Sequence, residues 1–311
     1  MGSVEQEVLA GRADLPSAYR SDFRIGGISV QVVGKTGRDV SLVASLEPFR
    51  TSTRASDIQV EIEWAETLAP ASGPRLFDSG SVWQLFQDDE NFLFDFHASV
   101  LGPRPYKRLL VDKEFRSAKL RMSTPSFAGK HHEVVPLEYP LDELLIMHRL
   151  TQERAIELHS CGIMRDDGSG ELFVGHSGAG KSTTTRLWTS CQDAEVLSDD
   201  RIIVRRDASS LTGLRMYGTP WHGEARFASP RSAPLAHIFI LQHGQGNLLT
   251  RLSPSQAVAE LFARSFVPFH RHEYVDCALQ FLQEVAASVP IYRYAFEPDQ
   301  RAVDTILNLH E

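Results

Sequence analysis

The sequence predicts two structural units, a β-rich unit over residues 1–135 and an α/β unit over residues 136–311. Short runs that alternate apolar and polar residues, the pattern of half-buried strands, dominate the first part of the chain. Strands and helices alternate in the second part, where a glycine-rich loop joins one strand to a helix. A chain of 311 residues is long enough to form two hydrophobic cores.

The composition is that of an ordinary globular protein, with 42% hydrophobic and 23% charged residues. The net charge of −8 disfavours broad binding to nucleic acids or anionic membranes. The three cysteines lack the paired spacing of a disulfide framework or a zinc site. No apolar run approaches the roughly 18 residues of a membrane span, and the segment from Met1 to Ala13 does not resemble a signal peptide. We therefore expect a cytoplasmic protein that binds neither nucleic acid nor membrane.

Alternation with a period of two predicts the strands of the first unit. They are expected over residues 24–33, 57–64, 108–112 and 117–122, with a hairpin over residues 81–96. We expect the aromatic side chains of this hairpin in the core of the unit, not on a surface that stacks bases.

The second unit is predicted from alternating strands and helices. It opens with a helix over residues 140–155 that begins at a proline, a favoured first helical residue. The expected strands cover residues 156–164, 171–175, 194–197, 201–205, 237–241 and 290–296. The expected helices cover residues 180–190, 254–266, 274–289 and 301–310.

The clearest motif matches the pattern G-x-x-x-x-G-K-[ST], with an apolar strand before it and a helix after it. Its backbone N–H groups and the helix N-terminus can bind a phosphate. The predicted nucleotide-binding residues are Gly175, His176, Ser177, Gly178, Ala179, Gly180, Lys181, Ser182 and Thr183. Lys181 would neutralise the β- and γ-phosphates, and the Ser182 hydroxyl would be a Mg²⁺ ligand. The motif predicts binding of a nucleoside triphosphate or a similar polyphosphate.

Two adjacent acids, Asp199 and Asp200, follow the apolar strand predicted over residues 194–197. Two carboxylates beside a phosphate site can divide the work, since one can hold Mg²⁺ while the other accepts a proton from an attacking hydroxyl. We assign Asp199 as the catalytic base and Asp200 as the metal ligand, although the spacing treats the two alike. A solvated acidic turn is the alternative.

His159 and Glu224 complete the candidate site, in which the catalytic residues are Lys181, which binds the phosphates, and Asp199 with His159 assisting it. A hairpin over residues 156–175 would put His159 roughly opposite His176, where it could orient an aspartate or contact the γ-phosphate. Glu224 ends a loop that contains two glycines and a proline, and it could reach a metal. The alternatives are an ordinary edge-strand histidine and a structural turn. Arg226, Arg231 and Arg251 are candidates for contacting the transferred phosphate, and spacing does not choose among them.

The order of these elements along the chain, with His159 first, then the phosphate loop and then Asp199-Asp200, resembles that of the HPr serine kinase/phosphorylase family. It is also similar to the order in a relative of that family, ATP-dependent phosphoenolpyruvate carboxykinase. The resemblance covers about residues 150–311 and rests on His159, the phosphate loop, the pair Asp199-Asp200, and Glu224 in a second signature. It implies an α/β P-loop nucleotide-binding domain of HPr-kinase type, with ATP and Mg²⁺ as cofactors. It also implies a homo-oligomer, because HPr kinases form hexamers.

Two features differ from HPr kinases. The β-rich first unit replaces their α/β N-terminal domain, and the second signature is a Gly-Thr-Pro-Trp-His-Gly-Glu run ending at Glu224. That run is more similar to HPr-kinase-related proteins found with ribosomally made peptides, some of which resemble lasso-peptide kinases that phosphorylate a precursor serine. The resemblance therefore implies a peptide or small-protein acceptor, such as a ribosomally made precursor peptide.

The leading hypothesis is a Mg²⁺- and ATP-dependent kinase that transfers the γ-phosphoryl group to a hydroxyl, with serine as the expected acceptor. One alternative is a kinase for a small metabolite, in which the β-rich unit shapes a pocket. The other is a non-catalytic module that binds ATP for sensing or assembly. The intact Lys181, Ser182 and paired aspartates favour an enzyme.

Overall fold

The computed structural model describes residues 18–35, 40–53, 55–128, 134–191 and 194–309. The segment from Met1 to Ala13, on which the expectation about a signal peptide depends, lies outside these ranges. Within them, no helix is both long enough and apolar enough to cross a membrane. The described residues form two mixed sheets with helices packed against them.

The first sheet has eight strands. They are β1 Ala18–Ile25, β2 Ile28–Lys35, β3 Ile58–Ala65, β4 Arg75–Asp78, β5 Trp83–Asp88, β6 Asn91–Phe96, β7 Lys107–Asp112 and β8 Ser117–Ser123. Their order is β1-β2-β3-β8-β7-β6-β5-β4. The pairs β2–β3 and β3–β8 are parallel, and the other adjacent pairs are antiparallel. Ile58, Val60 and Ile62 of β3 are buried while the residues between them are exposed, as expected for a sheet packed on one face.

The run expected as one strand over residues 24–33 is two strands joined by a tight turn. Gly26 and Gly27 have φ angles of +55° and +80°, which glycine adopts without steric cost. Ile25 and Ile28 then pair across the antiparallel β1–β2 ladder. The prediction of a single strand was wrong because it ran through the Gly-Gly pair, where the buried apolar positions shift by one residue, from Phe23 and Ile25 to Ile28 and Val30.

The hairpin predicted over residues 81–96 is confirmed, with β5 and β6 antiparallel and Asp88 opposite Asn91. The aromatic residues Phe92, Phe94 and Phe96 lie in the core, as expected, and the half-buried Trp83 packs against it. Phe86 is half-buried and does not belong to this core. Edge strand β4 was not predicted, because all four of its residues are exposed and show no alternation.

One helix, α1 Leu141–Leu150, connects the two units. It is shorter than the helix expected over residues 140–155, because the chain forms turns after it and Arg154 has a φ of +50°. Apolar residues between positions 137 and 155 share one core with the inner face of the first sheet. Residues 137–155 were predicted from the sequence to belong to the second unit, over residues 136–311.

The second sheet has nine strands, with four helices beside it among the described residues. The strands are β9 Ala155–Arg165, β10 Gly170–Val174, β11 Ala194–Ser198, β12 Arg201–Arg206, β13 Leu214–Gly218, β14 Ser232–His243, β15 Leu248–Arg251, β16 Ser265–Phe266 and β17 Ile291–Phe296. The helices are α2 Lys181–Thr189, α3 Pro254–Phe262, α4 His272–Ser288 and α5 Arg301–Leu307. The path is β10-β9-β12-β13-β14-β17-β15, with β11 and β16 paired to β9 and β10 also paired to β14.

Every strand expected in the second unit is present, and three further strands were not expected. β13 alternates buried and half-buried residues, so its pattern was available, whereas β15 is mostly exposed and β16 has two residues. The helix expected over residues 254–266 ends at Phe262, because residues 265–266 pair with β9. The helix expected over residues 301–310 ends at Leu307, and position 310 lies outside the described residues.

Helices cover both faces of the second sheet. Leu172 and Val174 of β10 pack in the core formed with α3 and α4, while Phe173 between them packs in the core that includes Trp188 of α2 and residues of α5. This alternation buries β10 on both sides. The carboxyl ends of β10 and β11 and the start of β12 lie together at one edge of these layers, where the candidate site is found.

Candidate nucleotide-binding site

The glycine-rich loop connects β10 to α2 and has the backbone conformations that its sequence requires. Gly178 and Gly180 have φ angles of +80° and +106°, in the region that side-chain-bearing residues rarely adopt. A Cβ added at Gly180 would lie only 2.4 Å from Cζ of Phe296. The first N–H groups of α2 have no acceptor within the helix, so the loop and helix together offer donors to an anion.

Lys181 lies along the inside of the loop. Its Nζ donates hydrogen bonds to the carbonyl oxygens of Gly175 (3.0 Å) and His176 (3.2 Å). Burial lowers the pKa of Lys181, and the nearby Asp200 carboxylate acts in the opposite direction. A bound anion would stabilise the charged ammonium group in the same way.

A cavity of about 440 Å³ opens beside the loop. The loop and helix residues that line it are Ser177, Gly178, Gly180, Lys181, Ser182, Thr183 and Arg186. His159, Asp199, Asp200 and Glu224 line it from outside the loop. The predicted nucleotide-binding residues that are not in the lining are Gly175, His176 and Ala179.

His159 reaches the cavity through the β9–β10 hairpin. The Gly175 N–H donates to the His159 carbonyl (3.2 Å), so His159 lies opposite Gly175, one residue before the expected His176. The imidazole Nε2 lies 3.0 Å from Oδ1 of Asp200. The structure therefore pairs His159 with the second aspartate of the Asp199-Asp200 sequence.

Asp200 has a side-chain partner on each carboxylate oxygen. Oδ1 contacts His159, and Oδ2 accepts a hydrogen bond from Nη1 of Arg201. Burial raises the pKa of Asp200, but the His159 hydrogen bond and the charges of Arg201 and Lys181 outweigh burial, so the net pKa lies below the usual value. The group is therefore a carboxylate at neutral pH.

Arg201 links this pair to two buried glutamates. Its Nε lies 3.0 Å from Oε1 of Glu143 on α1 and 3.5 Å from Oε1 of Glu157 on β9. Its guanidinium carbon lies 4.0 Å from the ring centroid of Phe266, a cation–π contact. Burial, and next the neighbouring Glu143, raise the pKa of Glu157 well above its usual value, which favours the protonated form of Glu157.

Asp199 is in a different environment from Asp200. Its side chain is buried, and its oxygens accept hydrogen bonds from the backbone N–H groups of Gly223 (3.0 Å), Ala225 (2.8 Å) and Phe227 (3.2 Å). A Cβ at Gly223 would lie 2.9 Å from Oδ2 of Asp199, so the glycine permits this close approach. The Asp199 carboxylate thus anchors the loop that carries Glu224.

The oxygen ligands at the cavity suit Mg²⁺ that is bound partly by substrate phosphates. They do not suit a metal ion whose ligands all come from the protein. No group of three His, Cys, Asp or Glu residues within the described ranges is arranged to hold a metal ion. Mg²⁺ usually keeps several waters and binds through one or two protein oxygens plus substrate phosphates. The Ser182 hydroxyl and the exposed Glu224 carboxylate line the cavity and fit that requirement.

The structure places an unexpected arginine at the cavity. The lining includes Arg186 and none of the three arginines considered from the sequence, Arg226, Arg231 and Arg251. Arg186 follows Ser182 by one helical turn on α2, so i, i+4 spacing could have found it. His243, at the end of β14, was also not predicted from the sequence, and its Nε2 donates a hydrogen bond to the Gly178 carbonyl (2.8 Å). No local sequence pattern predicts that contact.

No family model matches the chain, and no curated protein matches it significantly. The sequence motif and the geometry of the cavity are therefore the grounds on which a function can be proposed.

Proposed function

We propose that this chain is a Mg²⁺- and ATP-dependent kinase that transfers the γ-phosphoryl group to a hydroxyl, a serine of a peptide or small protein. The observation that carries the proposal is the meeting of two features in one cavity. The phosphate-type loop with Lys181 and Ser182 forms one wall, and the paired His159 and Asp200 face it. Phosphate binding and proton acceptance are the two requirements of phosphoryl transfer to an alcohol.

The chain's own groups would divide the reaction as follows. The loop N–H groups and Lys181 bind the phosphates, and Arg186 adds positive charge beside the transferred group. The Asp200 carboxylate accepts the proton as the acceptor oxygen forms its bond to the γ-phosphorus, and the bond between that phosphorus and the β,γ-bridging oxygen breaks to release ADP. His159 orients Asp200 and supports its ionised form.

This division differs from the sequence-based assignment of the two aspartates, because Asp200 takes the role of the base and Asp199 becomes an anchor for the loop. The Asp199 oxygens accept three backbone hydrogen bonds, which supports an anchoring role. The Asp200 oxygens contact His159 and Arg201, which supports a base over a metal ligand. Ser182 and Glu224 would then hold Mg²⁺, which supplies charge neutralisation at the β- and γ-phosphates when bound.

We further infer that residues 136–311 are an α/β P-loop nucleotide-binding domain of HPr-kinase type. The support is the order of His159, the loop, Asp199-Asp200 and Glu224 along the chain, together with the cavity that these residues line. Such an enzyme would work in the cytoplasm, where Mg²⁺ and ATP are abundant, and a homo-oligomer accords with the resemblance.

Intact-mass spectrometry tests the proposal. The purified chain is incubated with Mg²⁺ and ATP and with the peptide or the metabolite fraction of a cell extract, beside Lys181→Ala. Lys119→Ala is the matched control, because Lys119 lies on an exposed face of the first sheet. Phosphate gained on a peptide with wild type and Lys119→Ala, but not with Lys181→Ala, supports the proposal.

Other results point to the alternative functions. Lys181-dependent phosphorylation of a metabolite would replace the peptide acceptor with a small molecule. ATP binding without transfer to either fraction would contradict a kinase and indicate a nucleotide-sensing module.

A further inference from the structure

A second cavity, of about 360 Å³, adjoins the nucleotide cavity and shares Asp200 with it. The first unit contributes Val43 and Ser45 to its wall, and the segment between the units contributes Tyr139. The loop after β13 contributes Trp221 on the other side. The two units thus enclose a space that begins at the proposed catalytic base.

Contacts with α1 and with the core of the first unit hold the walls of this second cavity in place. The Trp221 Nε1 donates to Oδ2 of Asp142 on α1 (2.9 Å), which fixes the indole ring. Leu46 and Phe49 of the 3₁₀ helix Ala44–Phe49 are buried in the core of the first unit, which anchors the segment that carries Ser45. A cavity with such fixed walls can select its occupant by shape.

The chemistry of the lining favours an apolar occupant. Val43, Pro220 and the rings of Tyr139 and Trp221 provide apolar surface, while Ser45 adds a hydroxyl. The lining also holds the carboxylates of Asp142 and Asp200, the guanidinium of Arg201, which already contacts Asp200, and the imidazole of His222. The ionised Asp200 carboxylate therefore disfavours an acidic side chain beside the acceptor hydroxyl.

We propose that this cavity is the acceptor subsite, and that it takes an apolar side chain next to the phosphorylated serine of a peptide. The inference rests on the proposed kinase function. A chain that presents its hydroxyl to Asp200 from this side places a neighbouring residue between the two units. Tyr139 is 61% exposed at this cavity and is available to pack against that side chain.

This arrangement gives the first unit a function. A compact metabolite could place its hydroxyl at Asp200 without entering the second cavity, whereas a peptide must extend beyond the reacting residue. Val43 and Ser45 lie where that extension would pass. The β-rich unit therefore acts in choosing the acceptor.

A peptide library with one fixed serine and one degenerate neighbouring position, before or after it, provides the test. Phosphorylation by Mg²⁺ and ATP is measured for wild type, Ser45→Tyr, which fills the cavity, and Tyr139→Ala, which removes part of its wall. Ser52→Tyr is the matched control, since Ser52 is exposed on the same unit and outside the cavity lining. Nucleotide affinity is measured for every protein, to show that each is folded.

We expect wild type and Ser52→Tyr to prefer apolar neighbours over acidic ones. Ser45→Tyr should lower kcat/KM by at least about tenfold at unchanged nucleotide affinity, and Tyr139→Ala should weaken the preference. Phosphorylation by Ser45→Tyr with the wild-type rate and preference would overturn the subsite and leave the kinase proposal standing. If wild type binds ATP but phosphorylates no peptide, the peptide acceptor itself is wrong, and the subsite fails with it.

Discussion

Asp199 and Asp200 are adjacent in the sequence, yet their surroundings give the two carboxylates different chemistry. Asp199 is 1% exposed and accepts only backbone N–H hydrogen bonds among the contacts described above, so it stabilises a loop. Asp200 lies at the cavity between His159 and Arg201, so it can exchange a proton with a bound hydroxyl. Sequence spacing cannot separate these roles, because the difference depends on the loop that packs against Asp199.

Substituting each aspartate by asparagine should separate the two roles. We expect Asp200→Asn to keep its nucleotide affinity and to lose phosphoryl transfer by about 100-fold or more, since it lacks the base. Asp199→Asn should lose about 1–3 kcal/mol of stability, because its amide would put N–H groups against backbone donors. The measurements are thermal unfolding, nucleotide titration and transfer rate. A fully stable Asp199→Asn without transfer would return the base role to Asp199.

Glu157 should make the stability of the protein fall as the pH rises. Its pKa is raised well above 4.5 by burial, so the folded state keeps a proton that the unfolded chain releases above pH 4.5. The favourable contribution is complete below pH 4.5 and is lost as the pH rises through the folded-state pKa. Glu157→Gln keeps the shape without the ionisation, so we expect its stability relative to wild type to be greater at pH 8 than at pH 5.

Urea unfolding at the two pH values measures this difference. Glu114→Gln is the matched control, because Glu114 is exposed in the first unit and its substitution should change the two midpoints equally. A Glu157→Gln variant that follows wild type at both pH values would show that Glu157 is ionised throughout.

At the scale of elements, the sequence predicted the strands and helices whose burial repeats regularly. The β5–β6 hairpin and β10 with α2 were predicted because their patterns are local. The exposed edge strands β4 and β15 were not, since an edge strand need not alternate. The turn between β1 and β2 was missed because the prediction overlooked the Gly-Gly pair and the one-residue shift of the apolar positions across it.

The loop before α2 allows a sharp comparison of its two glycines with positive φ. At Gly178 a Cβ would meet open space, so alanine adds only backbone strain. At Gly180 a Cβ would also lie 2.4 Å from the Phe296 ring, so the loop would have to move. We expect Gly180→Ala to weaken ATP binding by more than tenfold relative to Gly178→Ala, about 1.4 kcal/mol or more.

The double variant Gly180→Ala/Phe296→Ala supplies the control for this comparison. Removal of the ring should restore part of the ATP affinity, measured by titration calorimetry, while Phe296→Ala alone should not increase it. Equal losses in Gly178→Ala and Gly180→Ala would show that backbone strain dominates and that the Phe296 contact has no role.

At the scale of the whole molecule, the parts of the site that sequence could not predict are those that join the two units. The loop and its flanking elements are contiguous, so the motif located Lys181 and Ser182 directly. The contacts of Arg201 with Glu143 and Glu157, and the second cavity with Ser45, bring together segments far apart in the chain. Such contacts depend on how α1 and the first sheet pack, which no local pattern encodes.

The buried His148 and the half-buried His270, at the same junction, should make the molecule acid-sensitive. His148 of α1 stacks on Phe115 of the first unit at 4.4 Å between ring centroids, and His270 of the second unit lies 5.2 Å from the His148 ring. Burial, the largest cause for both, lowers the pKa of His148 to about 3 and that of His270 to about 4. Both rings are therefore neutral in the folded protein at neutral pH.

The folded-state pKa values lie below the ordinary value of 6.5, so the unfolded chain binds protons first as the pH falls. The contribution of the two neutral rings to the free energy of unfolding is complete above pH 6.5 and should decrease below it. For His148 the decrease is up to about 1.4 kcal/mol per pH unit, and the less buried His270 adds a smaller amount. In urea unfolding between pH 7 and 5, His148→Leu/His270→Leu should flatten this decrease, whereas His272→Gln, at an exposed position, should not. A double variant as acid-sensitive as wild type would place the responsible groups elsewhere, because two neutral apolar side chains at the junction cannot take up protons.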